Sequence, residues 1–393
     1  MLKYKEIKQL GKVITGKTPP TEDESNFGGS IPFITPSDIK SFNEHYIVDT
    51  ERTISESGSR YVSKNILPND SICFVCIGST IGKMCMTGTP SYTNQQLNSI
   101  IPFANVDNHY LFYLLRYFKG YFQLLGGGTG SGKGIVKKST FEKSKVLYDD
   151  NIDNQKKIAS ILSAYDSLIE NNKKRIKLLE QMAENLYKEW FVRFRFPGHE
   201  TAEFEGGVPK GWKRVSLREY ANVIMGQSPE SCFYNTEKLG LPFHQGCGSY
   251  GEFYLRDDIY STEGKRIAEP NSIIFSVRAP VGRINLTLNK IILGRGVAGI
   301  NAKNNNNAFL LWLLKQKFSK EDIIGNGAIF TSVTKNELLG QKLLIPNKEL
   351  ERKFNVIASN IETEIKLLTL QKEVLTTQRD LLLPRLMSGK LSI

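Results

Sequence analysis

The sequence predicts an α+β protein built from two homologous halves. Each half is a mixed globular domain followed by one long helix, and the two helices pair as an antiparallel coiled coil in a pseudo-twofold symmetric arrangement. Three observations carry this prediction. Short motifs recur in the same order in both halves. Each half ends in a stretch of helical periodicity almost free of Gly and Pro. The 393 residues suit two or three domains at roughly 100–200 residues each.

The repeat is read from four segments. Val13-Ile-Thr-Gly16-Lys-Thr-Pro19 returns as Val223-Ile-Met-Gly226-Gln-Ser-Pro229, and Ile31-Pro-Phe33 as Leu241-Pro-Phe243. Ile81-Gly82-Lys83 returns as Val281-Gly282-Arg283, and Leu111-Phe-Tyr-Leu-Leu-Arg116 as Leu310-Leu-Trp-Leu-Leu-Lys315. The offset shrinks from 210 to about 196 along the chain, the pattern of a duplication with loop deletions in the second copy. The period is far too long for a solenoid.

Within each half, β-rich runs such as Ser71-Ile-Cys-Phe-Val-Cys-Ile77 and Ser272-Ile-Ile-Phe-Ser-Val277 lie between Gly, Pro, Asn and Ser clusters. The domains are therefore 1–150 and 205–346. The helical segments are 151–196 and 347–393.

In the first helix a heptad-like stripe contains Ile158, Ile161/Leu162, Tyr165, Leu168/Ile169, Ile176, Leu179, Met182, Leu186 and Trp190. Asn172 sits on it, where a buried Asn fixes register at some cost in stability. In the second helix the stripe is Phe354, Ile357, Ile361, Ile365, Leu368, Leu375 and Leu382. Nearly 40 residues at about 1.5 Å each make a rod of roughly 55 Å. Such a rod overhangs a domain of this size, which favours pairing of the two rods over packing of each on its own domain. Pro197-Gly198 ends the first and Pro384 lies near the end of the second.

The net charge of +12 points to a polyanionic partner. No apolar run reaches the about 18 residues of a membrane span, and the N-terminus has no secretory hydrophobic core. Five scattered cysteines suit a reducing cytoplasm, the expected location.

Most candidate chemistry fails on inspection. Gly126 to Gly134 reads GGGTGSGKG and carries the G-x-x-x-x-G-K of a phosphate-binding loop, ending at Lys133. Gly134 stands where Ser or Thr would hold Mg²⁺. Tyr110 to Leu125 reads as an apolar helix and Ile135-Val-Lys-Lys138 as extended, the reverse of the required strand–loop–helix. The counterpart in the second half, Gly325 to Thr331, has no Lys.

Cys73 and Cys76 are three apart on a strand and point to opposite faces. Their aligned positions in the second half are Ile273 and Ser276. Asp257-Asp258 and Asp149-Asp150 read as solvated turns. The four histidines have no metal-ligand spacing, and no nucleophile elbow is present. The chain is expected to be no enzyme, with no metal and no cofactor of its own.

The remaining signal is basic and polar. It comprises Ser79, Thr129, Ser131, Lys133, Lys137 and Lys138 in the first half, and Arg278, Arg283, Arg295, Asn326 and Thr331 in the second. Lysines meet phosphates as point charges, arginines can read guanine, and Gly/Ser/Thr loops bring backbone N–H groups to phosphates or base edges.

These residues form a recognisable pattern. The chain resembles the specificity subunit of type I restriction–modification systems over nearly its whole length. The resemblance rests on Val-Ile-x-Gly-x-Ser/Thr-Pro in each half and Gly207-Val-Pro-Lys-Gly-Trp212 opening the second. It also rests on Gln155-Lys-Lys-Ile-Ala-Ser-Ile-Leu162, Lys188-Glu-Trp-Phe-Val192 and the terminal Leu383-Pro-Arg-Leu-Met-Ser-Gly-Lys-Leu391.

The resemblance implies two target-recognition domains, each reading one half of a split site in double-stranded DNA. It implies paired helices that act as a spacer and dock methyltransferase subunits, two in number, and restriction/translocase subunits in the same complex. S-adenosylmethionine, ATP and Mg are then expected in those partners. The helix pairing and subunit interface would be carried by Ile158, Leu162, Tyr165, Ile169, Asn172, Leu179, Leu186, Phe354, Ile361, Leu368 and Leu375.

The first half lacks a Pro-x-x-Trp opening, so either the N-terminus is short or the second half's helical region is completed differently. Two other readings remain. One is a nucleotide-binding enzyme using Gly126 to Lys133. The other is a coiled-coil scaffold without DNA binding.

Overall fold

The computed structural model describes residues 2–42, 45–127, 134–319, 323–324, 328–329 and 332–391. It divides into two compact units, Met1–Asn171 with Gln371–Ile393, and Asn172–Leu370. The long helices are not a body of their own, because the division cuts each near its middle.

In the first unit a sheet runs in the order Gly11–Thr15, Leu97–Pro102, Ile72–Val75, Met84–Thr87, Tyr46–Ile47. Its pairings are antiparallel except the last. The pleat sends alternate side chains to opposite faces. Ile72, Phe74 and Cys76 enter a core shared with the helix Asn108–Tyr117, while Cys73 and Val75 enter a second core with Ile14 and Leu97. That helix starts on Asp107, whose carboxylate accepts from Tyr110 N–H at 2.8 Å. It is buried all round from Tyr110 to Arg116. The single apolar helix expected to Leu125 breaks at Phe118, and a second helix, Lys119–Gly126, turns Phe122 onto Phe74 and Phe141.

The second unit repeats the plan with Ala221–Met225, Val297–Ala302, Ile273–Ser276 and Ile284–Leu286 in that order. Ile72 pairs with Ile100 as Ile273 pairs with Ile300. This register corrects the alignment read from sequence: Cys73 and Cys76 correspond to Ile274 and Val277, not to Ile273 and Ser276. The turn is one residue shorter in the second half. Val75 N–H reaches Lys83 O, whereas Ser276 N–H reaches Arg283 O. Alignment anchored beyond the turn therefore slips by one in the strand.

In each unit the first and last strands of the domain pair antiparallel, Leu2–Glu6 with Lys145–Asp149 and Lys213–Ser216 with Lys342–Ile345. The last strand then feeds a long helix, Ile152–Tyr187 or Lys348–Met387. Both helices begin on an asparagine. Asn151 Oδ1 accepts from Asp153 N–H at 2.9 Å, and Asn347 Oδ1 from Leu350 N–H at 2.8 Å.

Four residues on, a buried polar side chain locks helix to domain. Gln155 bonds Asp107 N, Tyr148 OH and Asp149 O. Glu351 accepts from Tyr220 OH, Asn304 Nδ2 and Asn306 Nδ2.

The helices are antiparallel within the second unit. Arg175 pairs with Glu364 at 2.8 Å, and further along Tyr187 meets Phe354 at 5.6 Å between ring centroids. In the first unit Leu383, Leu386 and Met387 pack with Ile7, Leu10 and Val146, and a Cβ on Gly389 would meet Leu2 Cδ1 at 2.9 Å. The end of the second helix thus packs against the N-terminal strand and the residues that follow it.

Candidate nucleic-acid interface

The repeated Val-Ile-x-Gly-x-Ser/Thr-Pro motif has a geometric cause. The chain leaving the strand at Gly16 crosses directly over the neighbouring backbone. A Cβ there would lie 2.2 Å from Asn94 O, and one on Gly226 would lie 2.0 Å from Gly294 O. Only glycine permits this approach.

The crossing is fixed by matched backbone bonds. Gly16 N–H donates to Leu97 O and Lys17 N–H to Thr93 O, at 3.1 and 2.9 Å. Gly226 N–H donates to Val297 O and Gln227 N–H to Leu293 O, at 3.0 and 2.8 Å. Beneath the crossing a tight turn closes by Leu97 N–H to Asn94 O (3.2 Å), or Val297 N–H to Gly294 O (3.1 Å). The exposed side chains at its tip are Gln95 and Arg295.

The motif's hydroxyl supports each tip. Thr18 Oγ1 donates to Gln95 Oε1 at 2.8 Å. Ser228 Oγ accepts from Arg295 N–H at 3.1 Å and donates to Gln245 Oε1 at 2.7 Å. Arg295 was expected from the sequence; Gln95 and Gln245 were not. The repeat itself held the signal, since an offset of 200 carries Arg295 onto Gln95.

A second turn lies alongside the first, because Cys76 N–H donates to Gln96 O (3.0 Å) and Val277 N–H to Gly296 O (2.9 Å). It carries Ser79 in the first unit and Arg278 and Arg283 in the second, all exposed. The chain returning from the next loop adds to it through bridges Ile77 to Ile135 and Arg278 to Ser332.

The glycine loop starts and ends at one point, for a Cβ on Gly134 would sit 1.9 Å from Gly126 O. A helix precedes it. Ile135 and Val136 are extended as expected, but Lys138 already opens the helix Lys138–Lys143. Lys137 and Lys138 are exposed, and Lys138 has Glu142 at 3.6 Å. Thr129, Ser131, Lys133, Asn326 and Thr331 lie outside the described residues.

Asp257 is no solvated turn residue. His244, fully buried, bonds Ser249 Oγ at 2.8 Å through Nδ1 and Asp257 Oδ1 at 3.0 Å through Nε2, and Asp257 also accepts from Asn289. Burial opposes the Asp257 charge, but these two hydrogen bonds win and hold its carboxyl below the usual range. This Ser–His–Asp contact has its imidazole sealed from solvent and ties the loop after Leu241–His244 in place. Among the described residues no cluster of His, Cys, Asp and Glu is arranged to hold a metal ion, and no helix is long and apolar enough to cross a membrane.

The helix residues named from the stripe face inward. Ile158, Leu162, Ile169, Asn172, Phe354, Ile361, Leu368 and Leu375 are buried, and Tyr165, Leu179 and Leu186 are half-buried. They join each unit's own helix pair and leave the other faces of the helices exposed. The stripe read from sequence errs at Leu168, Met182 and Ile357, which are exposed. Ala183, Ala358 and Asp166 are buried instead. Small residues let the helix backbones approach. Asp166 is held by Tyr113 OH at 2.6 Å and by Arg379, with Arg116 at 3.7 Å.

Comparison with known proteins places these observations in context. The family model for the type I restriction modification DNA specificity domain matches residues 2–181 and again 209–377. The type I restriction enzyme MjaIX specificity subunit of Methanocaldococcus jannaschii is 28% identical over 99% of this chain and 93% of its own length. The MjaVIII specificity subunit of the same organism is 23% identical over the same shares. The S subunit of a type I restriction–modification system from M. genitalium has a similar fold, with a TM-score of 0.63 at 16% identity, covering 98% of this chain and 96% of that one.

Proposed function

Because the chain belongs to the type I restriction modification DNA specificity family, whose members recognise the DNA target and carry no catalysis, we propose that its two domains each read one half of a bipartite site. The observation that carries this is the repeated turn frame. Two domains hold the same backbone scaffold rigidly and present different side chains at its tip, Gln95 and Arg295. A duplicated frame with unequal tips suits a split, asymmetric target. Phosphates would be met by Lys137, Lys138 and Lys17, and by Arg278 and Arg283, all exposed.

The chain works with methyltransferase and restriction subunits. The proposed docking surface for the former, two copies per complex, is the outer face of the long helices. In the first unit this face exposes Leu168, Val374 and Leu381, and in the second Leu178, Met182 and Leu367. Two adjoining cavities of about 840 and 640 Å³ in the second unit share Arg352 and Val356 of that face. S-adenosylmethionine, ATP and Mg belong, on this reading, to the partner subunits.

The test is co-expression with the methyltransferase subunit and selection from a random DNA library. A motif of two short half-sites separated by an unread spacer is expected. Recovery of no bipartite motif, or binding insensitive to salt, would overturn the reading.

A further inference from the structure

We infer that Gln95 and Arg295 are the equivalent base-reading residues of the two domains, Gln95 specifying an adenine in one half-site and Arg295 a guanine in the other. The inference deepens the target-recognition reading and rests on it. It is drawn from position first. Each residue is the second of a four-residue turn closed by its own backbone bond, Asn94 to Leu97 or Gly294 to Val297. Each turn is clamped from above by the glycine crossing and from the side by the neighbouring turn. Residues just before and after the tip are buried or half-buried, while the tip side chain is exposed. A fixed mount with a projecting side chain suits base reading, since a side chain already held in place pays less ordering entropy on binding.

Chemistry then assigns the bases. Glutamine pairs in a bidentate way with the N6 and N7 edge of adenine, and arginine with O6 and N7 of guanine. Thr18 Oγ1 donates to Gln95 Oε1, which fixes the amide and still leaves one oxygen lone pair to accept from adenine N6. The Arg295 side chain has a different support. Its backbone N–H is held by Ser228 while the guanidinium extends outward. Neither tip makes a salt bridge among the described residues.

The experiment is methylation-motif sequencing in cells carrying the chain with its methyltransferase partner. It compares the wild type with Gln95→Ala, Gln95→Arg, Arg295→Ala and Arg295→Gln. Each Ala variant should lower discrimination at one base pair of one half-site by roughly tenfold or more. The other half-site should be unchanged, and its retention shows that the complex is assembled. Gln95→Arg should shift the preferred base at that position toward guanine, and Arg295→Gln should shift the other toward adenine. An unchanged motif in all four variants overturns the inference. So does loss of all methylation by a soluble complex in both variants at one site, because a specificity residue alters the motif rather than abolishing it. A wild-type complex that yields no bipartite motif would instead sink the underlying reading.

Discussion

Asp166 on the first long helix and Arg379 on the second form an ion pair sealed inside the first unit, their side chains only 3% and 1% exposed. The duplication places different residues at the equivalent positions of the second unit. Counting from the capping asparagines Asn151 and Asn347, Asp166 corresponds to Glu362 and Arg379 to Ala183. Arg116, near Asp166, corresponds to Lys315, which pairs with Glu180 at 2.6 Å. One half of the repeat therefore buries a carboxylate paired with arginine, and the other a carboxyl with Oε1 sealed from solvent beside Lys315 and the Trp312 indole.

Removing one member of a buried pair takes the main compensation from the other, and Asp166 would keep only the Tyr113 hydroxyl and the more distant Arg116. Arg379→Met should lower stability by about 3–5 kcal/mol, read from the denaturant midpoint of the full chain. The double variant Asp166→Leu/Arg379→Met should lose less than the sum of the two single variants, Asp166→Leu and Arg379→Met. Losses that simply add would mean that the pair's charges are not coupled.

The first unit should weaken in acid through His45. Burial pushes its imidazole down to about 4, although Asp166 at 3.8 Å pulls the other way. A folded pKa below the unfolded value means stability is complete above about pH 6.5 and falls as protons bind the unfolded chain. The loss should be on the order of 3 kcal/mol by pH 4. His45→Gln should flatten the stability profile between pH 6.5 and 4, measured by urea titration.

The second unit should weaken in the opposite direction through Glu362. Burial pushes its carboxyl up to about 8, with Lys315 and the Trp312 indole only partly opposing. A raised folded pKa gives stability that is complete below about pH 4.5 and lost as pH rises through 8. Glu362→Gln should remove this decline and raise the melting temperature at pH 8. No gain at that pH would show that the carboxyl is already ionised without penalty.

These buried charges also show how far the sequence could be read. The repeat, the two helices and their antiparallel pairing follow from hydrophobic period and motif order, because both are local signals. Asp166 and Arg379 break that period at core positions, so a stripe of apolar residues could not include them. Met182 and Ile357 fit the period yet lie exposed, since Ala183 and Ala358 let the backbones come close. Arg295 was visible as a charge. Gln95 was not, for a neutral residue gains meaning only when the turn frame shows that it occupies the same place.

That frame gives a stability prediction of its own. Gly16→Ala and Gly226→Ala would each place a Cβ within 2.2 Å of a carbonyl oxygen. The backbone must then separate from the turn that carries Gln95 or Arg295. Each substitution should lower stability by more than about 1 kcal/mol. At about 2–4 °C per kcal/mol for units of this size, the fall in melting temperature is measurable by calorimetry. Gly16→Ala should also blur the motif in one half-site only, because the crossing it disrupts belongs to one domain.

The exposed lysines should behave differently from the tips. Lys137 and Lys138 open a helix beside the second turn, and neither is buried or fixed by a strong partner. A point charge of this kind meets phosphate and carries no sequence information. Lys137→Ala should weaken binding about equally for cognate and unrelated DNA, and should lower the slope of log affinity against log salt by about 1. The double variant should lower it by about 2. The check is binding of the assembled complex to both DNAs across a salt series. A slope that stays at the wild-type value would remove these lysines from the interface. A loss confined to cognate DNA would make them readers of bases instead.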